Sequence, residues 1–173
     1  MHPAIPYSRI LVILGSIAML VGALDLMEGS LVILPGSALV ALGTCFGNQN
    51  HRCIVYRIWV FILIAIGVGA IWGFTMLGGI GGKTGYSEWW GLLMLPYLIG
   101  WTMGIWGPGS PRWVLALGIL VSLFHLWLVT VIMGRRNQFD AIALALGLLG
   151  LVTIAGCIFR WKTINASKLL AAS

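Results

Sequence analysis

Asp25, Glu28, Glu88 and Asp140 are all the carboxylates that this chain has, and each stands at or just before the start of an apolar run. With Lys83, Trp89, Trp90, Arg135 and Arg136 beside them in sequence, they could ring a shallow site for a cation, a polar lipid head group or a partner protein. The candidate ligand-binding set is therefore Asp25, Glu28, Glu88, Trp89, Arg135, Arg136 and Asp140. A local cause competes with that reading. A helix N-terminus leaves backbone N–H groups free and carries partial positive charge, so a carboxylate there is stabilised without any ligand. Asp25 and Glu28 have the spacing of a capping box, in which each side chain satisfies one of those donors. Capping accounts for every acid and carries more weight than a ligand site.

Deeper in the apolar runs, two polar side chains are candidates for chemistry: His125, midway along its run with Ser122 one turn earlier, and Ser37 beside Pro35-Gly36. An ionisable residue inside a membrane is a functional suspect by default. A Ser–His hydrolase acting on lipid would need the hydroxyl within hydrogen-bond reach of the imidazole, and an oxyanion hole as well. Cys45, His51 and Cys53 offer three metal-type donors on one loop without a fourth, a weak pattern for zinc. Gly78 to Thr84 reaches Gly-Lys-Thr, but the first glycine of a phosphate-binding loop is missing and no strand precedes it. His2, His51 and His125 fall at different depths and make no paired-histidine haem site. No catalytic residue, metal or cofactor is expected.

The elements that carry these residues are set by composition. Of 173 residues 60% are hydrophobic and 8% charged, against roughly 25% charged in a soluble domain; the mean hydropathy is +1.03. A membrane-crossing helix needs about 20 apolar residues, so the expectation is an all-α integral membrane protein. It has about six transmembrane helices, near 8–24, 26–46, 54–77, 88–106, 112–133 and 141–159, in three short-looped hairpins. They form one transmembrane domain over 1–173, with 160–173 a short basic tail. Ser8 is the expected N-cap of the first helix, which is expected to be retained because no small-x-small cleavage pattern precedes Asp25.

Gly15, Ala18 and Gly22, then Ser37 with Ala41, then the GxxxG pairs Gly69/Gly73 and Gly100/Gly104 offer small-residue faces for close helix contact. Pro35 and Pro96 fall near the middles of the second and fourth helices, where interrupted helices in transporters build binding sites. Trp89, Trp90, Trp101 and Trp106 read as aromatic belts at the two ends of the fourth helix.

The net charge of +6 does not imply nucleic acid, because the basic residues are scattered between apolar runs rather than gathered on one face. They orient the chain. Arg9, Arg52, Arg57, Arg112, Arg160, Lys162 and Lys168 fall on the side of the termini, and Lys83, Arg135 and Arg136 on the other. The positive-inside rule then gives N-in, C-in. Cys45, Cys53 and Cys157 lie towards the cytoplasmic ends, where thiols stay reduced.

The hairpin Gly22-Ala23-Leu24-Asp25-Leu26-Met27-Glu28-Gly29-Ser30-Leu31-Val32-Ile33-Leu34 resembles small bacterial polytopic membrane proteins without an assigned activity. More distantly, the six short-looped helices resemble the HdeD-type acid-resistance membrane protein family. The resemblance implies a stress-related or accessory role and assigns no residue. The leading expectation is a non-enzymatic inner-membrane protein that contacts membrane lipids and associates with itself or with other membrane proteins. A small transporter or channel with a site near Pro35 and Pro96 is the alternative, and an intramembrane lipid-acting enzyme the third. Reporter fusions after Gly47 and Gly134 should report cytoplasm and exterior respectively; the opposite pattern would contradict the N-in orientation.

Overall fold

Glycine spacing decides how the first two helices meet. The computed structural model describes residues 6–25, 28–47, 50–78, 92–136 and 141–170. These form six helices, with no strand among the described residues: α1 (Pro6–Gly22), α2 (Ser30–Gly47), α3 (His51–Met76), α4 (Leu95–Trp106), α5 (Arg112–Arg136) and α6 (Ala141–Leu170). Four segments are long and apolar enough to cross a membrane, Ser30–Gly47, His51–Met76, Arg112–Val131 and Leu146–Ser167, while Tyr7–Gly22 and Leu92–Trp106 are shorter. Only 17% to 39% of each long segment's apolar window is buried within the protein. Side chains such as Trp59, Ile66, Leu120, Phe124, Trp127 and Leu151 are exposed, which suits helices solvated by lipid rather than by water. The chain divides into two compact units, Met1–Gly104 and Ile105–Ser173.

In the first unit α1 and α2 pair antiparallel through small residues spaced by seven: Ser8, Gly15 and Gly22 on one strand of the pair, Gly29, Gly36 and Gly43 on the other. A seven-residue repeat keeps one helix face turned to its partner along the whole contact. A Cβ on Gly15 would lie 2.5 Å from the Gly36 carbonyl oxygen, and one on Gly43 would lie 2.8 Å from the Ser8 carbonyl oxygen. At the hairpin tip a Cβ on Gly29 would overlap the Gly22 and Asp25 carbonyls. No other residue fits there.

Several boundaries differ from expectation for reasons visible in the hydrogen bonds. Ser8 is inside α1, not its cap, and its side chain packs on Gly47 of α2. Instead of starting at Leu26, α2 starts at Ser30. The Asp25 N–H is taken by the Gly22 carbonyl (3.3 Å), and Gly29 supplies the carbonyl that the Ile33 N–H bonds (2.9 Å). α3 begins at His51, capped by Asn50, whose side chain accepts from the Arg52 N–H (3.1 Å). α6 continues through Leu170, so most of the expected tail is helix. Pro96 lies in the first turn of α4, where a missing N–H costs nothing, rather than at a helix centre; Pro35 is inside α2.

The GxxxG pairs also part company. Gly100 of α4 packs on Ile64 and Leu63 of α3, and Gly104 on Val60 and Met19, whereas a Cβ on Gly69 or Gly73 would meet nothing within 4 Å among the described residues. Gly22→Leu should therefore lower stability by about 1–3 kcal/mol through overpacking. Gly69→Ala should not lower it, and can raise it by up to about 1 kcal/mol through helix propensity. Thermal unfolding in detergent, followed by circular dichroism, checks the order of the two variants; equal effects would contradict the packing described.

Candidate functional site

Arg57 is the most deeply placed charge among the described residues. It sits two turns into α3 and is only 4% exposed. Its guanidinium Nη1 donates to the Gly104 carbonyl (2.7 Å), and the neighbouring Tyr56 hydroxyl donates to the Met103 carbonyl (2.9 Å). Both acceptors belong to the last turn of α4, which stops where Gly107-Pro108-Gly109 turns the chain, Gly109 having a φ of +83°. The last four carbonyls of a helix have no partner within it and carry partial negative charge. A cation and a hydroxyl from α3 thus cap α4 from outside.

The end of α1 is treated the same way. The indole N–H of Trp101 donates to the Met19 carbonyl (3.0 Å), and the Val21 and Gly22 carbonyls accept from the Leu24 and Asp25 N–H groups. Trp101 is therefore a buried donor, not the interfacial belt residue expected from sequence. At the start of α2, Trp72 of α3 donates its indole N–H to the Ser30 hydroxyl (3.2 Å). Sequence reasoning counted Arg57 only as a topology charge. The signal that could have found it is an arginine among apolar residues in a chain with another helix ending at a Gly-Pro turn, where carbonyls need donors.

The residues singled out from sequence fare differently. Asp25 and Glu28 are exposed and lie together, the Glu28 N–H donating to Asp25 Oδ1 (3.2 Å). This is half of the expected capping box, since the Asp25 N–H goes to Gly22. Glu88, Trp89 and Asp140 lie outside the described residues, as do Lys83 and Trp90; Arg135 and Arg136 form the C-terminal end of α5. Ser37 is buried and donates to the Leu34 carbonyl of its own helix (2.7 Å). His125 has Nδ1 2.8 Å from the Val121 carbonyl oxygen, with the Phe124 ring edge-on at 5.9 Å. Among the described residues no three metal-type donors gather, and Cys45 is exposed while Cys53 is half-buried.

In the second unit α5 and α6 pack over Gly118, Gly150 and Gly156, which face Ile105, Leu126 and the Trp106 ring. Thr153 and Cys157 are fully buried in this unit, and the Thr153 hydroxyl returns to the Leu149 carbonyl (2.8 Å). Where α5 begins, Arg112 Nη2 donates to Asn165 Oδ1 of α6 (2.7 Å). An open apolar groove lies just inboard of that bond, lined by Ala116, Ile119, Leu120, Ile158, Trp161 and Lys162.

Comparison with protein-family models, with curated proteins and with solved structures finds no match. The Arg57 cap makes its own prediction. Arg57→Met keeps much of the apolar volume but withdraws the donor from the α4 terminus, and should cost about 1–3 kcal/mol, with Arg57→Lys losing less. Chemical unfolding in mixed micelles checks it; an unchanged midpoint for Arg57→Met would show that the cap contributes nothing.

Proposed function

We propose that this chain is a non-enzymatic multi-pass protein of the cytoplasmic membrane, in bacteria the inner membrane. Six crossings run N-in to C-in, and the role is structural, accessory or stress-related, exercised by helix association. The observation that carries the reading is where the polar side chains of the apolar helices spend their hydrogen bonds. Ser37, Thr44, Thr153, Tyr56, Arg57 and Trp101 all donate to backbone carbonyls, and His125 sits against one. Such groups satisfy the fold's own backbone, which an environment without water makes expensive to leave unsatisfied.

Association through small-residue faces is supported by the contrast between glycines. Those of α1 and α2, with Gly67, Gly100 and Gly104, are consumed by contacts within the first unit, while Gly69 and Gly73 open a smooth strip on α3. In lipid, close packing is a main source of helix association. The experiment uses two differently tagged copies expressed together in membranes. Co-purification that is lost on Gly69→Leu with Gly73→Leu supports self-association by this strip; no co-purification of the unaltered chains, or full retention in the double variant, counts against it.

A further inference from the structure

We propose that the groove between the start of α5 and the end of α6 is a binding site for an anionic membrane phospholipid, its acyl chain in the groove and its phosphate against Lys162. This rests on the membrane reading above. The groove has a volume of about 510 Å³, and Lys162 is the one charged side chain of its lining. One wall is Ala116, Ile119 and Leu120 near the start of α5, the other Ile158, Trp161 and Lys162 of α6, and the Arg112–Asn165 bond joins the two helices at the same end. Polarity therefore grades along one axis, from Arg112, Asn165 and Lys162 at one end to Ile119, Leu120 and Ile158 one to two turns further in.

That gradient matches a lipid lying along a helix pair, head group at the surface and chain towards the interior. Trp161 adds an amphipathic ring at the boundary, the place such rings prefer. Charge selects the head group. Lys162 lies in the lining, and Arg112 stands at the same end of the helix pair, bonded to Asn165. The acid nearest Lys162 in sequence, Asp140, precedes the first residue of α6, and Ala141 is separated from Lys162 by about 30 Å of helix rise. A zwitterionic head group would bring an ammonium to a rim that has cations and, among the described residues of its lining, no carboxylate. A head group with net negative charge meets only attraction, and basic residues at a membrane surface recruit such lipids.

The test is native mass spectrometry of the full-length protein released from nanodiscs containing equal phosphatidylglycerol and phosphatidylcholine. The unaltered protein should retain phosphatidylglycerol preferentially. Lys162→Gln should reduce that preference by about five-fold, Lys162→Arg should keep it, and Ala116→Trp, which fills the groove while leaving every charge in place, should reduce retention. Because Lys162 is exposed, Lys162→Gln tests the site even where Ala116→Trp impairs folding. Protein that inserts and is helical but shows no head-group preference, or a preference unmoved by Lys162→Gln, overturns the lipid site alone. Protein that fails to enter nanodiscs and is extracted from membranes by alkaline carbonate overturns the membrane reading itself.

Discussion

The pairing of α1 with α2 depends on having no side chain where the two backbones touch. In water two helices are driven together by burying apolar surface. In a bilayer the acyl chains are as apolar as leucine, so that gain disappears and dispersion at short range must replace it. Gly15 against Gly36, Gly22 against Gly29 and Gly43 against Ser8 permit that range, in one antiparallel register from the open end of the hairpin to its tip. The tip is then fixed as well: with Gly29 under Gly22, α2 cannot start before Ser30.

The second requirement is the backbone at helix ends. Four carbonyls at each C-terminus lack an internal partner, and in a low-dielectric setting each is costly to leave bare. In the first unit the solution is borrowed donors: Trp101 for α1, and Tyr56 with Arg57 for α4. The same side chains cross-link the elements, since each donor comes from a helix other than the one it caps. A buried arginine is thus explained by the helix it terminates, and its burial is compatible with an apolar interior because its charge faces the negative end of a helix dipole.

The apolar runs were legible because a period is not needed to see them; length and the scarcity of charge suffice to find the four long apolar segments, but not their ends, since α2 starts at Ser30 and α6 continues through Leu170. Turns with an unambiguous local rule were legible too, as at Gly107-Pro108-Gly109. The tertiary use of each small or polar residue was not. Gly69/Gly73 and Gly100/Gly104 have the same GxxxG spacing, yet among the described residues only the second pair is packed, and nothing in the spacing distinguishes them. Trp101 looks like a belt residue until Met19 is known to present a carbonyl to it. The heptad of Ser8, Gly15, Gly22, Gly29, Gly36 and Gly43 is visible in the sequence, but because it runs through the turn its spacing alone does not show that the two helices meet on it. The Asp25–Glu28 pair was expected to cap a helix opening at Leu26; the Glu28 N–H does donate to Asp25 Oδ1, but that bond ties the loop ahead of α2, which starts at Ser30.

The register of α1 on α2 is open to direct measurement. Leu11 and Val40 flank the packed glycines, Leu11 against Gly43 and Val40 against Gly15. In a chain with Cys45, Cys53 and Cys157 replaced by alanine, Leu11→Cys with Val40→Cys should form an intramolecular disulfide under mild oxidation in membranes. Leu11→Cys with Ile33→Cys, displaced by about two turns and so beyond disulfide reach, should not. Cross-linking of the second pair in preference to the first would contradict the glycine-set register.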